Sequence, residues 1–283
     1  MLKWGMFKIE YKQFIGPAIV TAIIVALYYL AFEWMVNTWW YSEYYSHSFL
    51  LLPVAAIIIW TRRTELKTKE PYQHGIWIFL AGLILYVIGF MRESNFLVAT
   101  SLLLVLPGLA LFARGPKVLR AIAFPIFLLV FMIPLPWLDE ISRNLQSFAA
   151  RTSAWIVDLM GVPITRTGSQ IELENVAFEI GLPCSGMHSL IALLALSAIF
   201  AYILNGSFKR KLALVVLAVP IAIFSNIFRI VVLLLVGNKW GEDAVIGIIH
   251  DPLSPIVFVV AIICLVIAAK LLRFSLRETA SQK

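Results

Sequence analysis

Residues 213–236 read ALVVLAVPIAIFSNIFRIVVLLLV. A bilayer crossing takes about 20 predominantly apolar residues, so this run is long enough to span one. Its only charge is Arg229. A guanidinium at the centre of a membrane helix costs roughly 2.5–3.5 kcal/mol on insertion scales. It also keeps its proton at any ordinary pH. An intramembrane charge of this kind marks a functional site by default. Asn226 lies three residues earlier and shares a helical face with it. Upstream, Pro183-Cys184-Ser185-Gly186 opens another apolar run, and downstream His250 immediately precedes a third. A cysteine, an arginine and a histidine near the ends of three membrane helices point to thiol chemistry in a bilayer.

The rest of the chain has the same character. Of its 283 residues, 61% are hydrophobic and 14% charged, and the mean hydropathy is +0.91. This composition excludes an ordinary soluble domain and indicates a polytopic membrane protein. One integral membrane domain over residues 1–283 is expected. The first apolar run, from Phe14, is too long for the core of a signal peptide and leads to no small-residue cleavage site. Two cysteines, Cys184 and Cys264, are too few for a disulfide framework. The expected fold class is all-α, with about eight spans: roughly 14–34, 46–60, 75–91, 95–113, 118–136, 185–204, 212–236 and 253–272.

The net charge of +7 is accounted for by topology. Most of the 23 Lys and Arg fall on one set of loops and span ends, among them Lys3, Lys8, Lys12, Arg62, Arg63, Arg114, Lys117, Lys209, Arg210, Lys211, Arg273 and Lys283. The other set carries Arg92, Arg143, Arg151, Arg166 and Lys239. The positive-inside rule then puts both termini in the cytoplasm. Contact with anionic lipid explains the basic balance, and nucleic-acid binding is not indicated. In this orientation Cys184, Arg229 and His250 all fall toward the outer leaflet, although none of them set it. Arg229 lies seven residues from the end of its expected span, about 10 Å deep.

Residues 137–183 form the only long segment outside the spans. Asp139 is expected to cap a helix, with Glu140 favouring the N-terminal dipole. Ile141, Leu145, Phe148, Trp155 and Leu159 recur near helical spacing, interrupted by Arg143, Gln146, Arg151 and Asp158. That pattern describes an amphipathic helix in the outer interface, ended by Gly161 and Pro163. A ninth span here would spoil the charge asymmetry. Residues 164–173 alternate around Gly168-Ser169, a hairpin signal, and residues 176–180 supply a possible third strand. The expectation is a small β-cap leading directly into Cys184. Such a cap could present a strand edge to a peptide or be an inert connector.

Each candidate side chain has a plainer alternative. Most membrane cysteines are inert small hydrophobes; Cys184 differs because the first turn of a helix favours the thiolate. Cys264 lies in mid-span and reads as structural. No carboxylate occupies the middle of an expected span, so Arg229 lacks an obvious ion-pair partner and suits a developing anion. His250 fits as a base near neutral pH. His188, four residues after Cys184 on the same face, rivals it, and His47 faces the same side. Ser185 or Ser189 could replace the thiol as nucleophile. Zinc proteolysis is disfavoured because no His-Glu-x-x-His occurs, two intramembrane aspartates are missing as well, and no metal or cofactor is expected.

Taken together, Tyr45-Ser-His-Ser-Phe-Leu, Pro134-Leu-Pro136, the hairpin before Pro183-Cys-Ser-Gly, Asn226-Ile-Phe-Arg229 and the late His250 resemble the exosortase/archaeosortase family of membrane transpeptidases. One departure is Met187-His188 after Cys-Ser-Gly, where Leu and often Arg or Asn would be expected. The resemblance implies substrates that are membrane-tethered exported proteins with a C-terminal sorting tail. That tail carries a short motif such as Pro-Glu-Pro, one transmembrane helix and then basic residues. It further implies Cys184 as nucleophile, His250 as general base and acid, and Arg229 at the oxyanion. A thioester would then pass to an unknown acceptor, a lipid or glycan among the possibilities. Asn226, His188, Ser185 and His47 would be supporting or alternative residues. A different class remains open: a transporter or polymer-export component in which Arg229 binds an anionic substrate and Cys184 merely packs.

Overall fold

The computed structural model describes residues 12–168, 170–173, 176–179, 185–241 and 250–276. Ten α-helices lie among them: α1 Lys12–Leu27, α2 Tyr29–Tyr41, α3 Ser48–Thr61, α4 Gly75–Met91, α5 Asn95–Arg114, α6 Pro116–Met132, α7 Leu138–Leu159, α8 Met187–Ile203, α9 Phe208–Trp240 and α10 His250–Leu271. Between α7 and α8 stand three short strands, β1 Ile164–Thr167, β2 Gln170–Leu173 and β3 Val176–Glu179. A two-residue pair, β4 Leu204–Asn205 with β5 Ser275–Leu276, ties the end of α8 to the end of α10. The chain is an all-α polytopic membrane protein with a small β-cap.

The helices follow the expected runs, with differences that matter. Three are long and apolar enough to cross a membrane alone: Asn95–Arg114, Phe208–Trp240 and, within α10, Leu253–Leu271. The segments Ser48–Thr61, Gly75–Met91 and Met187–Ile203 are apolar but shorter. The first expected span is not one straight helix. It is the α1–α2 pair, bent by 68°. The bend falls at Tyr28, whose buried hydroxyl hydrogen-bonds Ser101 Oγ at 2.7 Å.

The chain forms two units by internal contacts, Met1–Thr38 with Ile57–Ile133, and Trp39–Ala56 with Pro134–Lys283. In the first, α4 and α5 lie backbone to backbone. A Cβ on Gly82 would come within 2.7 Å of the Val105 backbone nitrogen, and one on Gly89 equally close to that of Val98. Gly75, Gly82 and Gly89 recur every seven residues, so all three meet α5 along one seam. Lys117 and Glu70 form an ion pair at 2.6 Å in the same unit.

In the second unit α8, α9 and α10 pack through small and branched residues, with Leu193, Leu214, Ala218, Ala222, Ala261, Leu265 and Ala269 buried together. Helix α7 lies against the later part of α9. Its buried face is small: Ala149, Ala150, Ala154 and Val157 pack with Ile227, Ile230, Val231 and Leu234 of α9. Ile141, Phe148, Trp155 and Leu159, four of the five large residues of the expected apolar stripe, are exposed instead, and Leu145 is half-buried. That is the arrangement of a helix whose bulky side meets lipid and whose small side meets protein. Asp139 is not the N-cap. Trp137 holds that position, and Asp139 and Glu140 lie in the first turn, where they still favour the dipole. The antiparallel sheet has the order β1-β2-β3, with Thr167 opposite Gln170 across a two-residue turn. Ile171 and Leu173 of β2 join the α7–α9 core, which fixes the cap to α9 on the Arg229 half of that helix.

Candidate functional site

Helix α9 carries Asn226 and Arg229 one turn apart on its protein-facing side, 5% and 8% exposed. Arg229 Nη1 donates to Ser254 Oγ of α10 at 3.0 Å. Its Nε and Nη2 are buried and have no hydrogen-bond partner among the described residues. Unsatisfied donors on a buried cation are costly, by about 1–3 kcal/mol per group or more. No ion pair among the described residues offsets that cost at Arg229.

Arg229 belongs to the wall of a cavity of about 650 Å³. Its polar end is built from Glu43, Ser46 and His47 before α3, from Gly186, His188 and Ser189 at the start of α8, and from Arg229 and Ser254. Its remaining walls are apolar, including Leu51, Val54, Ala195, Ile199, Phe258 and Ile262. His188 Nε2 lies 3.5 Å from Ser46 Oγ, and the His47 ring stacks on Tyr45. Tyr45 in turn accepts a hydrogen bond from Leu135 N–H at 2.8 Å, joining the Tyr-Ser-His segment to the Pro-Leu-Pro turn. Burial raises the Tyr45 hydroxyl above its ordinary pKa, so it remains a neutral acceptor.

The turn before α8 is shaped by Gly186 and Ser185. Gly186 adopts the left-handed region at φ 80°, and an added Cβ would stand 2.6 Å from Asn226 Cγ. The Asn226 side chain therefore fills the space that a side chain at 186 would need. Ser185 is 1% exposed. Its Oγ accepts from Ser142 Oγ at 2.7 Å and from Met187 N–H at 3.2 Å, so the hydroxyl is held inside the protein.

Of the residues singled out from sequence, Arg229, His188 and His47 share the cavity, Asn226 supports its Gly186 wall, and Ser185 anchors the adjoining turn. Cys184, directly before Ser185 in the chain, lies outside the described residues. His250 begins α10, and its side chain lies outside them too. Ser254 falls one helical turn after His250. Ser254, Ser46, Glu43 and Ser142 were not singled out. A serine four residues beyond a candidate histidine on an apolar helix was the available signal for Ser254. Among the described residues no group of three His, Cys, Asp or Glu stands close enough to hold a metal.

An arginine in the wall of a largely apolar cavity, beside imidazoles and hydroxyls, can receive an anion or a carbonyl oxygen that becomes one. Comparison with known families identifies the chain. The model described as transmembrane exosortase (Exosortase_EpsH) matches residues 39–267. The chain belongs to the transmembrane exosortase family. The match takes in every cavity residue of this exosortase, from Glu43 to Ile262. Neither comparison, with curated proteins or with solved structures, gave a match.

Proposed function

We propose that this exosortase is a cysteine transpeptidase that cleaves the C-terminal sorting tail of membrane-tethered exported proteins and transfers them to an acceptor. The observation that carries the reading is the buried Arg229, two of whose nitrogens have no partner among the described residues, in the wall of a cavity lined also by the first turn of α8, just after Cys184 in the chain, and by Ser254, one turn after His250. Family membership supports the same chemistry. The Cys184 thiolate attacks the scissile carbonyl carbon, and Arg229 Nε and Nη2 receive the oxyanion. His250 protonates the departing amine, leaving a thioester on Cys184. An acceptor nucleophile then attacks the thioester, giving its proton to His250, and the Cys184 thiolate is released. A largely apolar lining disfavours water beside a thioester and so favours transfer over hydrolysis. A lipid or glycan acceptor fits this scheme. The protein would lie in a bacterial or archaeal cytoplasmic membrane with both termini inside and the site toward the outer face. The distribution of Lys and Arg supports that orientation.

Deleting the gene should leave at least one tailed protein at full length in the membrane, and restoring it as Cys184→Ala should not rescue processing. If no protein changes its C-terminus between the two strains, the transpeptidase reading fails. A transporter using Arg229 as an anion site would then be favoured, and it would keep its function as Cys184→Ala.

A further inference from the structure

The cavity beside Arg229 is deeper than the chemistry at its polar end requires. Its α8 wall runs from Gly186 through Ser189, Ala192 and Ala195 to Ile199, a drop of about 20 Å at 1.5 Å per residue. These positions recur every third or fourth residue, so they form one stripe down the helix. Spread over that depth, a volume of about 650 Å³ leaves a mean cross-section of about 33 Å², a width of about 6 Å. Polar groups stand at one end only. Beyond Ser189 on α8, Ser254 on α10 and His47 ahead of α3, every described lining residue is apolar.

Three kinds of occupant can be weighed against this trough. A transmembrane helix with its side chains is about 10–12 Å across, too wide to enter. An extended peptide would place about six residues along 20 Å. Their backbone N–H and C=O groups would face walls that offer no partner, which is costly away from water. A hydrocarbon chain has no polar group to satisfy and gains dispersion contacts along both walls. One leaflet of a bilayer holds chains about 15 Å deep, so a chain from the outer leaflet reaches most of the way to Ile199. At the polar end Arg229 supplies the planar cation that phosphate pairs with. Glu43 at the same end is exposed, so its charge is screened.

We propose that this cavity is a phospholipid site, in which one hydrocarbon chain lies along α8 to Ile199 and the phosphate sits at the Arg229 end. The site goes beyond the transpeptidase reading and does not require it. It also leaves the tail helix of a substrate outside the trough, meeting only its polar end.

The test reads bound lipid on the full-length protein purified in mild detergent. Native mass spectrometry counts the lipid, and fragmentation identifies headgroup and chains. Wild type should hold a single phospholipid through detergent exchange that strips loosely held lipid. Ala195→Phe, which puts a ring into the trough, should lower the bound fraction by about tenfold, toward the low end of the cost of overpacking. Ile263→Phe, on α10 but outside the lining and 51% exposed, should bind as wild type does. The proposal is overturned if wild type holds no phospholipid, if it holds a peptide or a lipid without phosphate, or if Ala195→Phe binds as much as Ile263→Phe. Should Ala195→Phe not fold, Val54→Phe on the α3 wall takes its place, and the wild-type result stands by itself. Cys184→Ala should keep the lipid whatever happens to processing of a tailed reporter, so failure of the lipid site and failure of the transpeptidase reading appear in separate assays.

Discussion

Replacing Arg229 by Met should abolish processing without destabilising the protein, a combination that a structural arginine would not give. The magnitudes come from its surroundings. Among the described residues Arg229 makes one hydrogen bond, to Ser254, and two of its buried nitrogens have no partner. The lost bond, made by a charged donor, costs roughly 1.5–3 kcal/mol, while relieving two unsatisfied donors returns about 1–3 kcal/mol each. The balance favours an unchanged or higher melting temperature in detergent. Activity should move the other way, because removing a single oxyanion donor costs about 10²–10³-fold in rate. Arg229→Lys separates charge from geometry: an ammonium keeps the charge but loses the planar fork, so processing should fall nearly as far. The assay is conversion of a tailed reporter at matched membrane abundance, beside thermal unfolding of the purified variants. A lower melting temperature for Arg229→Met, together with near-normal processing by Arg229→Lys, would refute the oxyanion role and make Arg229 a structural element.

A membrane-impermeant maleimide on intact cells or spheroplasts should label Cys184, whereas Cys264, exposed on the membrane-crossing part of α10, should react only with a lipid-soluble reagent; labelling that survives Cys184→Ala would reject this. His250→Ala should stop processing of the reporter, and His188→Ala should leave most of it, even though His188 lines the cavity; the reverse result would make His188 the base. Gly186→Ala should reduce the yield of folded protein, since a left-handed alanine costs roughly 1–2 kcal/mol and its Cβ would meet Asn226. Thermal unfolding checks this, and a wild-type melting temperature would contradict it.

Much of this could be read in the sequence because hydropathy and turn chemistry are local signals. The α9 run announced both a helix and its misplaced charge, and Gly168-Ser169 between alternating residues announced the β1–β2 turn. The bend at Tyr28 had no such sign, because the apolar character runs on through it and no proline or glycine falls there. The contacts of α7 were hidden for another reason. Counting hydrophobicity picks out Ile141, Phe148, Trp155 and Leu159, but lipid rewards those residues as well as a core does. Protein contact goes to Ala149, Ala150, Ser153 and Ala154, which let backbones approach. The Ser142–Ser185 hydrogen bond joins residues far apart in sequence, and no periodicity encodes such a contact.

The length of α9 turns the bilayer into a ruler. At 33 residues the helix is about 50 Å long, well beyond a hydrocarbon layer of about 30 Å. Its basic start, Lys209–Lys211, would sit at the cytoplasmic boundary in the proposed orientation. From Lys209 to Arg229 the helix climbs about 30 Å, and still about 28 Å at a common tilt of 20°. In that orientation Arg229 would lie at the opposite hydrocarbon boundary rather than the 10 Å or so below it that a span of 212–236 would imply. A tail helix anchored in the same bilayer would deliver its first extramembrane residues to that level without being pulled inward. Selection of substrates would then depend on the match between tail length and membrane thickness, and lipids with longer chains would carry the scissile bond away from Arg229.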